Sequence, residues 1–140
     1  MLYVDTSVVV ALLTVEPKTP DVTVWYAALQ DTPICADWLL TEFSSAISIK
    51  LRTGQLSETH AKRVHKEFDL LTTGGLRLVP VSRASFSQAA ELVKQHQYGL
   101  RAGDALHLAV ALEMGASHMA TLDETLAKNV KRKGLALVRF

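Results

Sequence analysis

The 140-residue chain contains a single cysteine, Cys35. That excludes an intramolecular disulfide and any zinc site built from thiolates. Cys35 lies in the apolar run PICA (33–36), which predicts a buried structural thiol and suits a reducing, cytoplasmic setting. Aromatic residues are scarce, at 6%, so the core has to be aliphatic, built from Ala, Val and Leu. Neither sign of charge dominates: 15 Lys and Arg stand against 14 Asp and Glu, a formal net charge of +1. Overall electrostatics therefore argue neither for nor against a nucleic-acid partner. No apolar run reaches the about 18 residues that a membrane span needs. The N-terminal stretch MLYVDTSVVVALLTVE is apolar but lacks a basic start and is interrupted by Asp5, so no signal peptide is expected. Neither glycine signature of nucleotide sites, G-x-x-x-x-G-K-[ST] or G-x-G-x-x-G, occurs.

What remains is a chain with 49% hydrophobic residues, enough for one ordinary domain spanning 1–140. Short apolar runs alternate with helical patterns. LYV (2–4), PICA (33–36), RLVPV (77–81), HMATL (118–122) and ALVRF (136–140) read as strands, with Pro80 marking a strand end. Helices are expected over 7–16 with Ser7 as a possible cap, 20–31, from Asp37 to Gly54, 57–73, 85–97, 104–114 and 124–132. Such alternation implies an α/β fold, a central parallel sheet of four to five strands with helices on both faces. Sites in such sheets form beyond the carboxyl ends of the strands.

Four acids are placed to meet there. Asp5 follows the first strand and Asp123 the fourth. Asp104 stands at the mouth of the apolar helix in LRAGDALHLA, and Glu42 lies about one turn into the helix opened by Asp37. Each has an ordinary reading: a turn acid for Asp5, a helix-dipole partner for Asp104, a surface residue for Glu42, a cap for Asp123. Glu58, Glu67, Glu91 and Glu113 lie away from that edge on polar faces. Clustered carboxylates repel one another unless a cation joins them, so four at one edge suggest a divalent metal site. All-oxygen donors favour Mg²⁺ or Mn²⁺ over zinc or copper. Such ions activate water and stabilise in-line displacement at phosphorus.

The segments YVDTSVVVALL, LLTEFSSAI, LRAGDALHLAVALEMGA and MATLDETL, in this order and spacing, resemble the PIN-domain family, in particular the VapC-type toxins of toxin–antitoxin pairs. The resemblance implies a Mg²⁺- or Mn²⁺-dependent endoribonuclease. The family's acids fall on Asp5, Glu42, Asp104 and Asp123, which would be both catalytic and metal-binding. Its small hydroxyl residues fall on Thr6, Ser7 and Thr121, expected to orient waters or carboxylates. The resemblance also implies a homodimer paired through its early helices, and a cognate antitoxin whose segment fills the groove.

Around those acids, Arg101, Lys128 and Lys131 are candidates for RNA phosphates. The basic stretches HAKRVHK (60–66) and KNVKRK (128–133) are either solvated helix faces or polyanion footprints. Asp37 reads as a cap, Glu124 as a helix-start acid and His107 as a hydrogen-bonded core histidine. The expected mechanism is attack of an activated water on phosphorus, leaving a 5′-phosphate and a 3′-hydroxyl, on single-stranded or looped RNA. The alternative is a module of the same architecture that binds RNA or a nucleotide without cutting it. A haloacid-dehalogenase-type phosphatase would carry a second aspartate two residues after Asp5, where Ser7 stands.

Overall fold

The computed structural model describes residues 1–140. Its five strands are β1 (Leu2–Val4), β2 (Ile34–Ala36), β3 (Arg77–Val79), β4 (His118–Ala120) and β5 (Ala136–Leu137). They form one sheet in the order β3-β2-β1-β4-β5, and every pairing is parallel. The expected class and strand number are those observed. β3 stops at Val79 because Pro80 has no N–H to extend the ladder.

Seven α-helices connect the strands: α1 (Thr6–Leu13), α2 (Thr19–Ala27), α3 (Trp38–Arg52), α4 (Glu58–Leu70), α5 (Arg83–Lys94), α6 (Ala102–Glu113) and α7 (Glu124–Arg132). The path β1→β2→β3 runs one way across the sheet, and β4→β5 continues from β1 the other way. Right-handed crossovers then place α1–α4 on one face and α5–α7 on the other. The reversal puts the switch point between β1 and β4, where an open parallel sheet leaves a crevice at its carboxyl edge.

Several boundaries differ from the sequence reading: α2 stops at Ala27 rather than 31, β4 and β5 end at Ala120 and Leu137, and three helices change for reasons seen in their hydrogen bonds and turns. α1 ends at Leu13, well before Pro17, because the Thr14 hydroxyl donates back to the Val10 carbonyl and its backbone turns extended. The 57–73 helix becomes α4 followed by a π-helical turn over Leu71–Gly75. There the Thr72 and Thr73 hydroxyls donate to earlier carbonyls, and the Tyr26 hydroxyl donates to the Gly75 carbonyl. The 85–97 helix breaks into α5 and a 3₁₀ turn, His96–Tyr98, closed by Gly99 at φ +69°.

The core is one cluster of 32 buried residues, mostly aliphatic as composition predicts. Its main ring pair is Phe43 stacked on Phe68, with centroids 4.0 Å apart, which joins α3 to α4. α6 is buried at every residue from Ala105 to Ala111, so it runs through the middle of the molecule. A fully buried helix projects its first turn from a fixed base, and Asp104 is in that turn.

Candidate active site

β1 ends at Val4, and Asp5 is the N-cap of α1: its Oδ1 accepts from the Val8 N–H. This corrects the reading of Ser7 as the cap. The Ser7 hydroxyl instead donates to Asp5 Oδ1 at 2.6 Å and accepts from the Leu122 N–H at 2.9 Å. The Thr121 hydroxyl donates to Asp5 Oδ2 at 2.7 Å and accepts from the Asp123 N–H. Ser7 and Thr121 therefore clamp the carboxylate and tie the β4–α7 turn to β1. Asp5 is 2% exposed. Burial pushes its carboxyl up, opposed by the charge of His107 and by the bonds from Ser7, Thr121 and Val8.

Glu42 sits in the second turn of α3, facing α6. Its Oε1 accepts from the Thr6 hydroxyl at 2.9 Å and from His107 Nε2 at 2.5 Å. His107 is buried on α6, as expected of a hydrogen-bonded core histidine, and its Nδ1 is 2.7 Å from the Tyr3 hydroxyl. The Ala36 N–H donates to that same phenol oxygen. A continuous chain thus runs from β2 through Tyr3 on β1 and His107 on α6 to Glu42 on α3. Burial would lower the His107 pKa, but hydrogen bonding to Cys35 and Glu42 carries it above the ordinary value. Burial pushes the Cys35 thiol up, so it is neutral at pH 7, and the anionic support for the imidazolium is Glu42. Burial would likewise raise Glu42, but the hydrogen bond and charge of His107, with Thr6 and Arg101, hold its carboxyl below the ordinary value.

Glu42 Oε2 is left facing the first turn of α6. A Cβ on Gly103 would stand 2.8 Å from that oxygen and 3.0 Å from Trp38 Nε1. A side chain at position 103 would push the Glu42 carboxylate and the Trp38 indole aside, so glycine there keeps both in place at the acid edge. Trp38 Nε1 is buried there without a hydrogen-bond partner. Tyr3 is the member of this network that periodicity could not reveal, since it lies inside the apolar run LYV.

Asp104 and Asp123 are held differently. α6 begins at Ala102 with Arg101 as its N-cap, so Asp104 is two residues inside the helix rather than its opening residue. Burial and the negative charges of Asp123 and Asp5 push its carboxyl from 3.8 up to about 6, with Arg101 opposing and Glu42 adding to the rise. Asp123 is the N-cap of α7 through the Leu126 N–H, as its ordinary reading also allows, at 2.7 Å. The Arg101 guanidinium lies between the two, 3.9 Å from Asp104 and 3.8 Å from Asp123, on an 82% exposed side chain.

The other candidates fall outside this group. Asp37 occupies the N-cap position of α3 but has a helical backbone, and its side chain caps nothing. Glu124 is an exposed acid in the first turn of α7. Glu113, read as solvated, accepts from the Ser82 and Ser85 hydroxyls and joins α6 to α5. Lys131 lies in the last turn of α7 at the helix's far end from Asp123, where a cation complements the dipole.

The four acids thus reach one edge without closing on one point: no three acid, histidine or cysteine side chains stand at spacing for a single ion. Mg²⁺ keeps several waters and takes only one or two carboxylates directly, so a ring of acids bridged through water suits it. The all-oxygen donor set and the charge repulsion borne by Asp104 fit such an ion. Asp104, Asp123, Asp5 and the free oxygen of Glu42 are the residues that would hold it.

Known proteins share this architecture. The PIN domain family matches residues 2–132. No curated protein sequence matches the chain. Among solved structures, the Mycobacterium tuberculosis toxin VapC20, described as cleaving the sarcin-ricin loop, is similar over 100% of both chains, with TM-score 0.77 and 20% identity. FitAcB from Neisseria gonorrhoeae is similar over 99% of this chain and 97% of its own, with TM-score 0.73 and 18% identity. VapBC2 from Rickettsia felis, bound to a promoter DNA fragment, is similar over 99% of this chain and 98% of its own, with TM-score 0.66 and 19% identity.

Proposed function

The chain belongs to the PIN-domain family, and from that premise we propose that it is a metal-dependent endoribonuclease, the toxin of a toxin–antitoxin pair. The observation that carries the reading is the meeting of Asp5, Glu42, Asp104 and Asp123 at the β1/β4 switch point, with Asp104 bearing the unrelieved charge of its neighbours. A module that only bound RNA would gain nothing from that repulsion.

When bound, Mg²⁺ or Mn²⁺ would lower the pKa of an attacking water and offset the charge that develops at phosphorus. Asp5 is the fixed corner: three donors hold its carboxylate, and Oδ2, which accepts only from Thr121, keeps a further lone pair. Glu42 is held ionised by His107 and Thr6, which favours a charge-holding role over that of a proton acceptor. In the metal-free protein burial and the charges of Asp123 and Asp5 hold Asp104 up at about 6, so it is the carboxyl of the site with most to gain from a bound cation. Arg101 reaches over the acids and would meet a phosphate flanking the scissile bond. Cleavage would leave a 5′-phosphate and a 3′-hydroxyl.

FitAcB and VapBC2 support an antitoxin partner; that a segment of it fills the groove and that the chain pairs as a homodimer are parts of the proposal. A cytoplasmic setting agrees with the buried free thiol of Cys35. No helix is long and apolar enough to cross a membrane.

The test is cleavage of a mixed cellular RNA pool by purified, antitoxin-free protein with Mg²⁺, with Mn²⁺ and with chelator, beside a folded Asp104→Asn variant. Metal-dependent cutting that the variant loses supports the nuclease. Equal cutting by both proteins contradicts the site, and RNA retained without cutting favours the binding module.

A further inference from the structure

Beside the acid edge lies a second, oppositely charged groove of about 320 Å³ between the 3₁₀ turn His96–Tyr98 and the outer face of α7. Its walls include Tyr98, Gly99, Thr125, Lys128, Asn129 and Arg132, and no acid lines it. Thr125, Lys128 and Arg132 recur at helical spacing, so they share one stripe of α7. The groove is built rather than incidental. Asn129, 2% exposed, donates to the carbonyls of Tyr98 and Thr125 and so pins the 3₁₀ turn to the helix. Gly99, at φ +69°, turns the chain so that it passes against Thr125. Arg132 is fixed in place by bonds to Asn129 Oδ1 and Gln95 Oε1, and its Cζ lies 3.6 Å from the centroid of the Tyr98 ring. Lys128 is exposed and makes neither an ion pair nor a hydrogen bond.

We propose that this groove is an RNA subsite, holding a nucleotide next to the scissile bond by stacking its base on the Tyr98–Arg132 pair and its phosphate on Lys128. The proposal rests on the nuclease reading above. Continuity supports it. The two strips of chain that form the groove lead directly into the acid edge, Gly99 to Arg101 on one side and Thr125 back to Asp123 on the other. Lys128 is five residues along α7 from Asp123, about 7.5 Å at helical rise. A guanidinium lying on an aromatic ring, with its outer plane open, is a platform on which an unpaired base stacks without regard to sequence. A positive groove beside a negative one also answers the difficulty of bringing a polyanion to four carboxylates.

The test is fluorescence anisotropy with a labelled, mixed-sequence single-stranded RNA, at several salt concentrations, using the full chain carrying Asp104→Asn to prevent cutting. Lys128→Gln and Arg132→Gln are each expected to weaken binding. Removing one phosphate-binding cation should lower the slope of log affinity against log salt by about 0.7. Tyr98→Ala should weaken binding about fivefold or more, and Tyr98→Phe should retain it. Lys62→Gln, the same charge change on α4, should do nothing. Groove variants that behave like Lys62→Gln, while the parent binds RNA, would overturn the subsite and leave the nuclease reading intact. A parent that binds no RNA would overturn both. Competition by poly-glutamate as strong as by unlabelled RNA would assign the groove to an acidic protein segment and overturn the proposal.

Discussion

The acid edge has two halves that are held by different physics. Asp5 and Glu42 are built in: between them they accept five hydrogen bonds, from Ser7, Val8, Thr121, Thr6 and His107. Asp104 and Asp123 project from helix starts, and apart from the cap bond to Leu126 they meet only a loosely placed Arg101. The first half is a frame of hydrogen bonds: they hold Glu42 ionised and oppose, without cancelling, the rise that burial imposes on Asp5. In the second half the charge is left largely uncompensated, and that is where a cation has most to offer. Asp104 records the difference: its carboxyl is driven up by burial and by the charges of Asp123 and Asp5, whereas that of Glu42 is drawn down by His107.

Substitution should separate the halves most sharply. Asp104→Asn is expected to lower RNA cleavage by about a thousandfold, the equivalent of several kcal/mol of lost charge stabilisation. The same change should leave the thermal midpoint of the metal-free protein equal or higher, since it removes repulsion. Calorimetry beside the cleavage assay checks both, and a strongly destabilised Asp104→Asn would erase the distinction between frame and free half.

On the framed side, His107→Leu breaks a buried ion pair and leaves the phenol of Tyr3 short of a partner. It should cost about 3 kcal/mol in urea unfolding. Asp5→Ala should cost about 2 kcal/mol or more, because the Ser7 and Thr121 hydroxyls lose their acceptor in a buried setting. Tyr3→Phe keeps the ring but removes two hydrogen bonds, leaving His107 Nδ1 and the Ala36 N–H short of a partner, so about 2 kcal/mol is expected.

The smallest effect is on pH dependence. A carboxyl whose folded pKa lies above its unfolded value binds its proton more tightly in the folded state. Asp104 therefore contributes stability below pH 3.8 that is lost as pH rises toward about 6. For a side chain half-buried at the rim of the site, the loss is on the order of 1 kcal/mol after screening. Glu42, drawn down, has the opposite sign: its contribution is present above its ordinary 4.5 and is lost as pH falls. Unfolding of metal-free protein between pH 4 and 7 should show the Asp104 component disappear in Asp104→Asn.

The framework of this fold was legible because it depends on local pattern. Apolar runs such as LYV, stopped by Asp5, and the helical period of 38–52 fixed the strand and helix order. All four acids could be placed at one edge because each follows a strand or lies near the start of a helix. The details that sequence misplaces depend on three-dimensional partners. Ser7 has the sequence position of a cap, but the helix starts earlier, at Thr6, with Asp5 accepting from the Val8 N–H and taking the Ser7 hydroxyl as a further donor. The π-helical turn at 71–75 rests on a phenol 49 residues away at Tyr26, which no window of sequence contains. The Tyr3–His107–Glu42 chain joins β1, α6 and α3, and the Tyr98–Arg132 pair joins two segments that are distant in the chain. Neither has a spacing signature.

The most direct measurement of the central claim is a calorimetric titration of Mn²⁺ into metal-free protein at pH 6, where Asp104 is about half protonated, wild type against Asp104→Asn. Wild type is expected to bind with release of protons from Asp104, and to gain about 2.7 kcal/mol in stability when free ion reaches a hundred times its Kd. Asp104→Asn is expected to lose both the binding and the proton release. Equal binding by the two proteins, or none by either, would contradict the claim that the uncompensated half of the acid edge is a metal site.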